Sequence, residues 1–373
     1  MKRLIVEKCS GCKACENVCP RRCLSVSTER TDCFMLIRDM SKCNECGLCE
    51  MVCPQTHLPV MRTPIQGYNA CSKDYLICKK SSSGGMASEI YAYSLKKGDK
   101  CIGVSFDENL HLMYRFINNV AEIPRFAGSK YVYSDMGDIY GKIRETVRSN
   151  RVVFVGLPCH VAGLNNYLIG NFGKLITIEL MCDGLPMPAY FDGHVKTIED
   201  KIGKKIANVQ FREKANNYGF SAKDNKGKSI YREDPYIDEY MLAFVKKVSF
   251  CGACYQCPYA TTKRCADITI MDCSLPQGEK SGITTWFNAS QVMINSGKGI
   301  LFWKEFTKEE RIQYVNYPIA KMKQMEKRMN YSAHDGMGHY VLSKLYRLFS
   351  LESIIRGMFP ITRLMKEVIR RDY

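Results

Sequence analysis

The chain has 373 residues, 46% of them hydrophobic, with 54 Lys and Arg against 38 Asp and Glu, a formal charge of +16, and 20 cysteines. That length predicts two or three domains, the larger part with a substantial core. The N-terminal residues lack the apolar stretch of a signal peptide and no run approaches about 18 apolar residues, so neither secretion nor a membrane-spanning helix is expected. Abundant thiols in such a chain predict a reducing, cytoplasmic location and metal ligation in place of disulfides.

In chain order, the first feature is a pair of cysteine runs, Cys9–Pro20 and Cys43–Pro54, each spaced C-x2-C-x2-C-x3-C-P. Three closely spaced thiolates on one loop suit the faces of an iron–sulfur cube, and the fourth Cys of each run ligates the partner cluster. Cys9, Cys12, Cys15 and Cys53 are therefore expected to hold one 4Fe–4S cluster, and Cys43, Cys46, Cys49 and Cys19 a second. A zinc ribbon or disulfide knot would have no use for the crossed, Pro-terminated fourth Cys. The pattern resembles a bacterial two-cluster ferredoxin. With roughly −2 on each oxidised cluster, three clusters would reduce the charge to about +10. That balance suits an acidic redox partner such as a ferredoxin or flavodoxin. Without a zinc finger, RNA-binding signature or basic heptad region, nucleic acid is an unlikely partner class.

Between the runs, Cys23–Ser27 and Cys33–Ile37 read as two strands of a hairpin. Thr63–Gly67 reads as a linker. Small residues at Cys78–Ser88 then lead into a helix over Glu89–Leu95 and a strand over Lys100–Phe106. A helix near Gly137–Arg148, a strand from Arg151, a Gly-containing helix and a strand over Lys174–Cys182 continue an α/β alternation. Asn208 to Asp234 reads as a β-meander with a turn at Asn225–Gly227. From Ile319 onward there are 11 basic and 5 acidic residues, read as two or three helices interrupted at Gly336–Gly338 and Pro360. The expected fold is an α+β ferredoxin-like module (1–62), a mixed α/β domain in two parts (68–150 and 151–317) and a basic helical tail (318–373).

A third loop, Cys251-Gly-Ala-Cys254-Tyr-Gln-Cys257-Pro, again sets three thiolates together. It predicts a third 4Fe–4S cluster on Cys251, Cys254 and Cys257. Cys159, Cys182 and Cys265 are the candidates for the fourth ligand, the first two at the C-terminal ends of strands, where α/β folds place their sites. Cys159 is the preferred one. A structural zinc is the alternative. Cys23, Cys33, Cys71, Cys78 and Cys101 read as buried small hydrophobes.

Over residues 70–310 the chain resembles the beta subunit of the coenzyme F420 (deazaflavin) hydrogenases and dehydrogenases. The resemblance is carried by Ser81–Gly85, Gly128–Ser134, Phe154–Gly163, Cys182–Pro186, Phe211–Lys214 and the cysteine loop leading to Ala266–Ile270. The N-terminal ferredoxin module and basic tail look like bacterial members. The resemblance implies FAD, although neither a Rossmann fingerprint nor a P-loop is present. It points to Ser82, Ser83, Gly84 and Gly85 as a phosphate cradle at a helix N-terminus, to Lys130 as a phosphate or ring contact, and to Arg212 and Lys214 as contacts to an anionic cofactor or substrate. Each set has a plainer reading, as a capped turn, a solvated lysine and a solvated strand face. Met271-Asp-Cys-Ser274 departs from the aromatic-containing family pattern, which weakens any transfer of substrate.

The expected function is an iron–sulfur flavoprotein oxidoreductase passing single electrons through clusters to or from FAD, which exchanges a hydride with an organic acceptor or donor. A non-catalytic electron-transfer subunit feeding a catalytic partner is the alternative. The C-x3-C-x2-C of a radical S-adenosylmethionine enzyme is absent. His160 is the nearest candidate for a proton donor. Tyr346, Phe349, Ile354, Met358 and Phe359, beside Lys344, Arg347, Arg356 and Arg363, form an apolar side for a membrane surface, a partner or the body of the protein itself.

Overall fold

A computed structural model describes residues 2–5, 8–170, 172–212, 219–285, 287–334 and 336–360. The first sheet comprises β1 (Lys2–Ile5), β2 (Leu24–Ser27) and β3 (Met35–Arg38), in the order β1-β3-β2 and antiparallel throughout. The hairpin separating the cysteine runs is thus present, with β1 as a third strand that its short, charged sequence did not announce.

The centre of the molecule is an eight-stranded mixed sheet. Its strands are β4 (Gln66–Ser72), β5 (Lys100–Phe106), β6 (Leu112–Ile117), β7 (Val152–Gly156), β8 (Leu175–Leu180), then β12 (Ile268–Asp272), β13 (Ser290–Ile294) and β14 (Ile312–Asn316). Between β8 and β12 in the chain lie β9 (Asn208–Gln210), β10 (Phe220–Lys223) and β11 (Ser229–Glu233), the expected antiparallel meander. The large sheet runs β14-β4-β13-β12-β8-β7-β5-β6. Its four inner strands β5, β7, β8 and β12 are parallel, while the flanking pairings are antiparallel.

Parallel strands need cover on both faces, and the Val-Val-Phe-Val run of β7 shows it. Val153 and Val155 pack with Ile90, Tyr91 and Phe302 of the helices Met86–Lys96 and Gly297–Thr307. Val152 and Phe154 pack on the opposite face with Tyr140, Ile143 and Leu164, from the helices Ile139–Thr146 and Pro158–Tyr167. Strand β4 starts at Gln66, so the linker is shorter than its Gly and Pro suggested; β14 pairs with β4, so the regions on either side of residue 150 share one sheet.

Among the described residues, the core of the ferredoxin-like region is shared with the rest of the chain. Phe34 and Leu36 join Leu185, Tyr190 and Phe211 in one cluster, and Cys12, Ala14 and Val52 join Tyr140 and Leu164 in another. Polar ties repeat the attachment: Tyr133 Oη donates to the Gly11 carbonyl at 2.9 Å and Tyr190 Oη to the Thr31 carbonyl at 2.9 Å. The Lys13 ammonium meets Asp135 at 2.8 Å.

The tail corrects one expectation. Gly336–Gly338 does not interrupt a helix; it opens one, Gly336–Leu345. Of the covers weighed for the apolar side, the body of the protein supplies most. Ile354 is buried, Tyr346, Met358 and Phe359 pack against the same cluster, and Tyr346 Oη donates to the Ala189 carbonyl at 2.7 Å. Phe349 is left exposed, and Arg363 lies outside the described residues. Among the described residues no helix is long and apolar enough to cross a membrane.

Candidate redox centre and cofactor cavity

The two ferredoxin runs fold so that their cysteines cross. Cys53 from the second run is an electrostatic neighbour of Cys9, Cys12 and Cys15 from the first. Burial raises the thiols of Cys9 to about 11 and Cys12 to about 12, so a cation must displace their protons on binding. The other group is more open: Cys43 and Cys49 are half-buried and Cys46 exposed. Cys23 sits between Cys19 and Cys43, its sulfur 3.4 Å from that of Cys19. At Cys19 burial opposes ionisation, but the backbone and side chain of Cys23 and the amides of Arg21 and Arg22 outweigh it and lower the pKa. Arg38 Nη2 lies 3.7 Å from the Cys49 sulfur, a cation placed where it would favour the thiolate.

Near the third cysteine loop, the cysteines that line one cavity are not the four named from the sequence. Cys159, Cys182, Cys254 and Cys257 line a single cavity of about 50 Å³. Among the described residues no three such side chains converge on one ion-sized point; the four thiols surround a space. Cys159 stands in the first turn of Pro158–Tyr167, after β7, and Cys182 in the loop after β8. Cys254 and Cys257 come from the helical turn Gly252–Gln256 and the residue that ends it. Cys251 does not face this cavity. Its sulfur lies 3.3 Å from the Cys9 carbonyl oxygen. Cys265 is also turned away, donating toward Glu179 at 3.2 Å and the Pro158 carbonyl at 3.4 Å.

The loop 182–186 shapes this cavity. Gly184 has φ +155°, and a β-carbon there would fall 2.1 Å from the Phe250 ring, so only glycine fits. The Leu185 amide donates to the Cys254 sulfur at 3.3 Å, the kind of N–H···S bond that stabilises a cluster thiolate. Ser10 Oγ is buried beside the sulfurs of Cys12 and Cys159, where its hydroxyl favours the thiolate form of each. A buried hydroxyl is costly unless thiolates accept from it. The donor set therefore fits iron–sulfur clusters.

A larger cavity of about 230 Å³ opens at the C-terminal ends of β7, β8 and β12. It brings together Ser82, Ser83, Gly85, Lys130 and Arg212. Gly84 stands behind the wall: its β-carbon would lie 2.5 Å from the Ala70 carbonyl oxygen and 2.7 Å from the Ser290 amide. Gly85, at φ +82°, caps the helix Met86–Lys96 without any side-chain acceptor. The first-turn N–H groups, on cavity-lining Met86, Ala87 and Ser88, therefore lack an intrahelical acceptor and offer positive potential. The Ser82 hydroxyl accepts from the Ser129 amide at 2.6 Å, tying this loop to the next. These features fit a phosphate-bearing cofactor.

Lys130 does not reach freely into the space. Its Nζ donates to the carbonyls of Ala127 at 2.9 Å, Phe126 at 3.2 Å and Gly128 at 3.3 Å. Burial lowers its pKa to about 7. Arg212 Nη1 holds Asp272 at 2.7 Å. Lys214 lies outside the described residues. His160 does not line the cavity. It is fully buried, kept neutral by a pKa lowered to about 4 through burial, and hydrogen-bonded through Nδ1 to Tyr114 Oη at 2.8 Å. Tyr114 is the member of that pair at the cavity wall. Sequence reasoning alone also missed Asp183 and Arg328, both of which line the two cavities. Asp183 was visible within the Cys182–Pro186 motif; Arg328, in the tail, carried no local signal.

Comparison with known proteins gives concordant results. Residues 67–140 match the family model for the N-terminal part of the coenzyme F420 hydrogenase/dehydrogenase beta subunit. Residues 149–318 match the model for the C-terminal part of the same protein. Residues 3–25 and 36–55 match a 4Fe-4S binding domain. No curated protein matches. Among solved structures, a chain of the F420-reducing NiFe hydrogenase complex from Methanosarcina barkeri is 16% identical, with 80% of this chain and 92% of that chain covered and a TM-score of 0.44. The two family matches together span more than half of the chain, which belongs to the coenzyme F420 hydrogenase/dehydrogenase beta-subunit family and carries an N-terminal 4Fe–4S binding domain.

Proposed function

We propose that this protein is an iron–sulfur flavoprotein oxidoreductase. Two 4Fe–4S clusters belong to the ferredoxin-like region, a third to Cys159, Cys182, Cys254 and Cys257, and FAD to the larger cavity. Cys182 replaces Cys251 in the third ligand set. The observation that carries the reading is the position of Cys182, whose loop is a wall of both cavities. When bound, FAD supplies the exchange between one-electron and hydride chemistry.

The residues divide the work. The unpaired N–H groups following Gly85 hold phosphate, and Ser82 fixes the loop that presents them. Tyr131, stacked on Phe244 at 4.2 Å between ring centroids, and Val155 exclude water from the apolar part of the cavity. Arg212 and Asp272 stand at the same cavity as the polar pair for an organic acceptor or donor. Cys46, exposed at the far end of the ferredoxin-like region, marks where an acidic donor such as a ferredoxin or flavodoxin docks.

A dedicated electron-transfer subunit is the second reading. The exposed apolar side chains Met51, Leu58, Val60 and Ile65 favour it, because they run along one stretch of chain and suit a catalytic partner protein.

Anaerobic iron and flavin quantitation tests the first reading. About twelve irons and one flavin per chain are expected; about eight irons and no flavin would sink it. Reduction of small-molecule acceptors only after a partner is added would move the balance to the second reading.

A further inference from the structure

The family match ends at residue 318, yet the chain beyond it returns to the redox site. The helix Ile319–Met325 leads into the turn Lys327–Met329, anchored by Met322 and Met329, which are buried with Met271 and Met293. From this strap Tyr331, Ser332 and Ala333 line the four-cysteine cavity. Arg328 lines both that cavity and the larger one.

Two carboxylates aim the Arg328 guanidinium. Nε donates to Glu326 at 2.6 Å and Nη2 also meets Glu326, while Nη1 reaches Asp183 at 3.3 Å. Asp183 directly follows Cys182 and also has Lys247 at 3.9 Å. Asp272 is a further charged neighbour. A guanidinium cannot release its proton, so the charge is permanent. Its side chain is 18% exposed, so solvent screens it weakly.

We propose that Arg328 is a potential-setting residue for the hand-over of an electron between the third cluster and the flavin. The inference rests on the cofactor reading above. Adding an electron on either side of Cys182 places negative charge in a low-dielectric site, and a fixed cation at the shared wall stabilises it. Removing the guanidinium would leave Glu326 without its counter-ion and Asp183 with Lys247 alone at 3.9 Å, which lowers both potentials.

The test is an anaerobic redox titration of the full chain, read by electron paramagnetic resonance for the clusters and by visible absorption for the flavin. Arg328→Gln should move the third cluster and flavin to lower potential and leave the ferredoxin-like clusters unmoved. Arg328→Lys should restore most of the shift. Glu326→Gln, which removes negative charge, should move the same two centres the opposite way. A merely structural role would give both glutamine variants shifts of one sign. Same-sign shifts, or unchanged potentials in variants with full iron and flavin, overturn the proposal. A wild-type chain without a third cluster or flavin also overturns it, but through cofactor content, before any potential is measured.

Discussion

A β-carbon placed on Gly163 would stand 3.3 Å from the Cys12 sulfur and 2.8 Å from Tyr140 Oη. Gly163 is one helical turn beyond Cys159, so the two share a face of the helix Pro158–Tyr167. The missing side chain is what lets the first cysteine loop rest on the helix that carries a ligand of the proposed third cluster. Gly163→Ala should therefore retain about twelve irons and lose no more than about 1–3 kcal/mol of stability. Electron passage from the ferredoxin-like clusters to the flavin should slow. Stopped-flow reduction with dithionite, followed at flavin wavelengths, measures this; an unchanged rate would contradict the contact as an electron route.

The two candidate ligand sets separate cleanly at two residues. Cys182→Ala should remove about four irons per chain, while Cys251→Ser should keep them, because a hydroxyl can still donate to the Cys9 carbonyl. Iron analysis and spectroscopy of the two purified variants decide it. Loss of the third cluster from Cys251→Ser instead would restore the expectation drawn from loop spacing.

That difference shows where sequence was informative. The C-x2-C-x2-C-x3-C-P runs are local, so the 4Fe–4S binding domain they mark was legible in the sequence. So was the α/β alternation, because β7 and β8 are continuous apolar runs. The spacing Cys251-x2-Cys254-x2-Cys257 was equally local, but it carried no sign of the contact that the ferredoxin-like region makes with Cys251 through the Cys9 carbonyl. Long-range packing set that contact, as it set the place of Arg328 and the burial of Tyr346 and Ile354 against the body. An amphipathic pattern states that one face needs cover, not which surface provides it.

The proposed phosphate cradle depends on Gly84 having no side chain. Gly84→Ala must push against the Ala70 carbonyl and the Ser290 amide, both backbone groups that cannot swing away. The expected outcome is a chain with full iron and strongly reduced flavin, destabilised by about 1–3 kcal/mol. Flavin released on denaturation, set against iron per chain, reports it. Full flavin occupancy would remove the cradle from the site.

Lys130 gives the cavity a pH dependence. Burial holds its pKa near 7, below the ordinary lysine value, and a bound anion would raise it again. Affinity for an anionic cofactor should be level below pH 7 and fall above it, by at most about tenfold per pH unit. The fall ends at the pKa of the bound state. Lys130→Met should bind more weakly with a flat profile, and Lys130→Arg should stay flat because arginine remains charged. Titration of flavin into the apo-protein from neutral to alkaline pH measures the slope; rising affinity would reverse the assigned sign.

Beneath the four-cysteine cavity, Glu179 on β8 and Arg264 form an ion pair with almost no solvent contact, at 0% and 1% side-chain exposure. Glu179 also accepts from Thr269 Oγ1 at 2.8 Å, and Arg264 Nη1 donates to the Thr261 carbonyl at 2.9 Å. Breaking such a pair leaves one buried charge without its counter-ion, whereas removing both charges leaves neither. Glu179→Leu and Arg264→Met should each cost about 3–5 kcal/mol, and the double variant that combines them clearly less than their sum. Thermal denaturation of the cofactor-loaded proteins measures all three. Additive losses would mean that the two side chains act independently and that the core depends on Arg264 for packing; a strong recovery in the double variant identifies charge compensation as what keeps Arg264 beside Cys257.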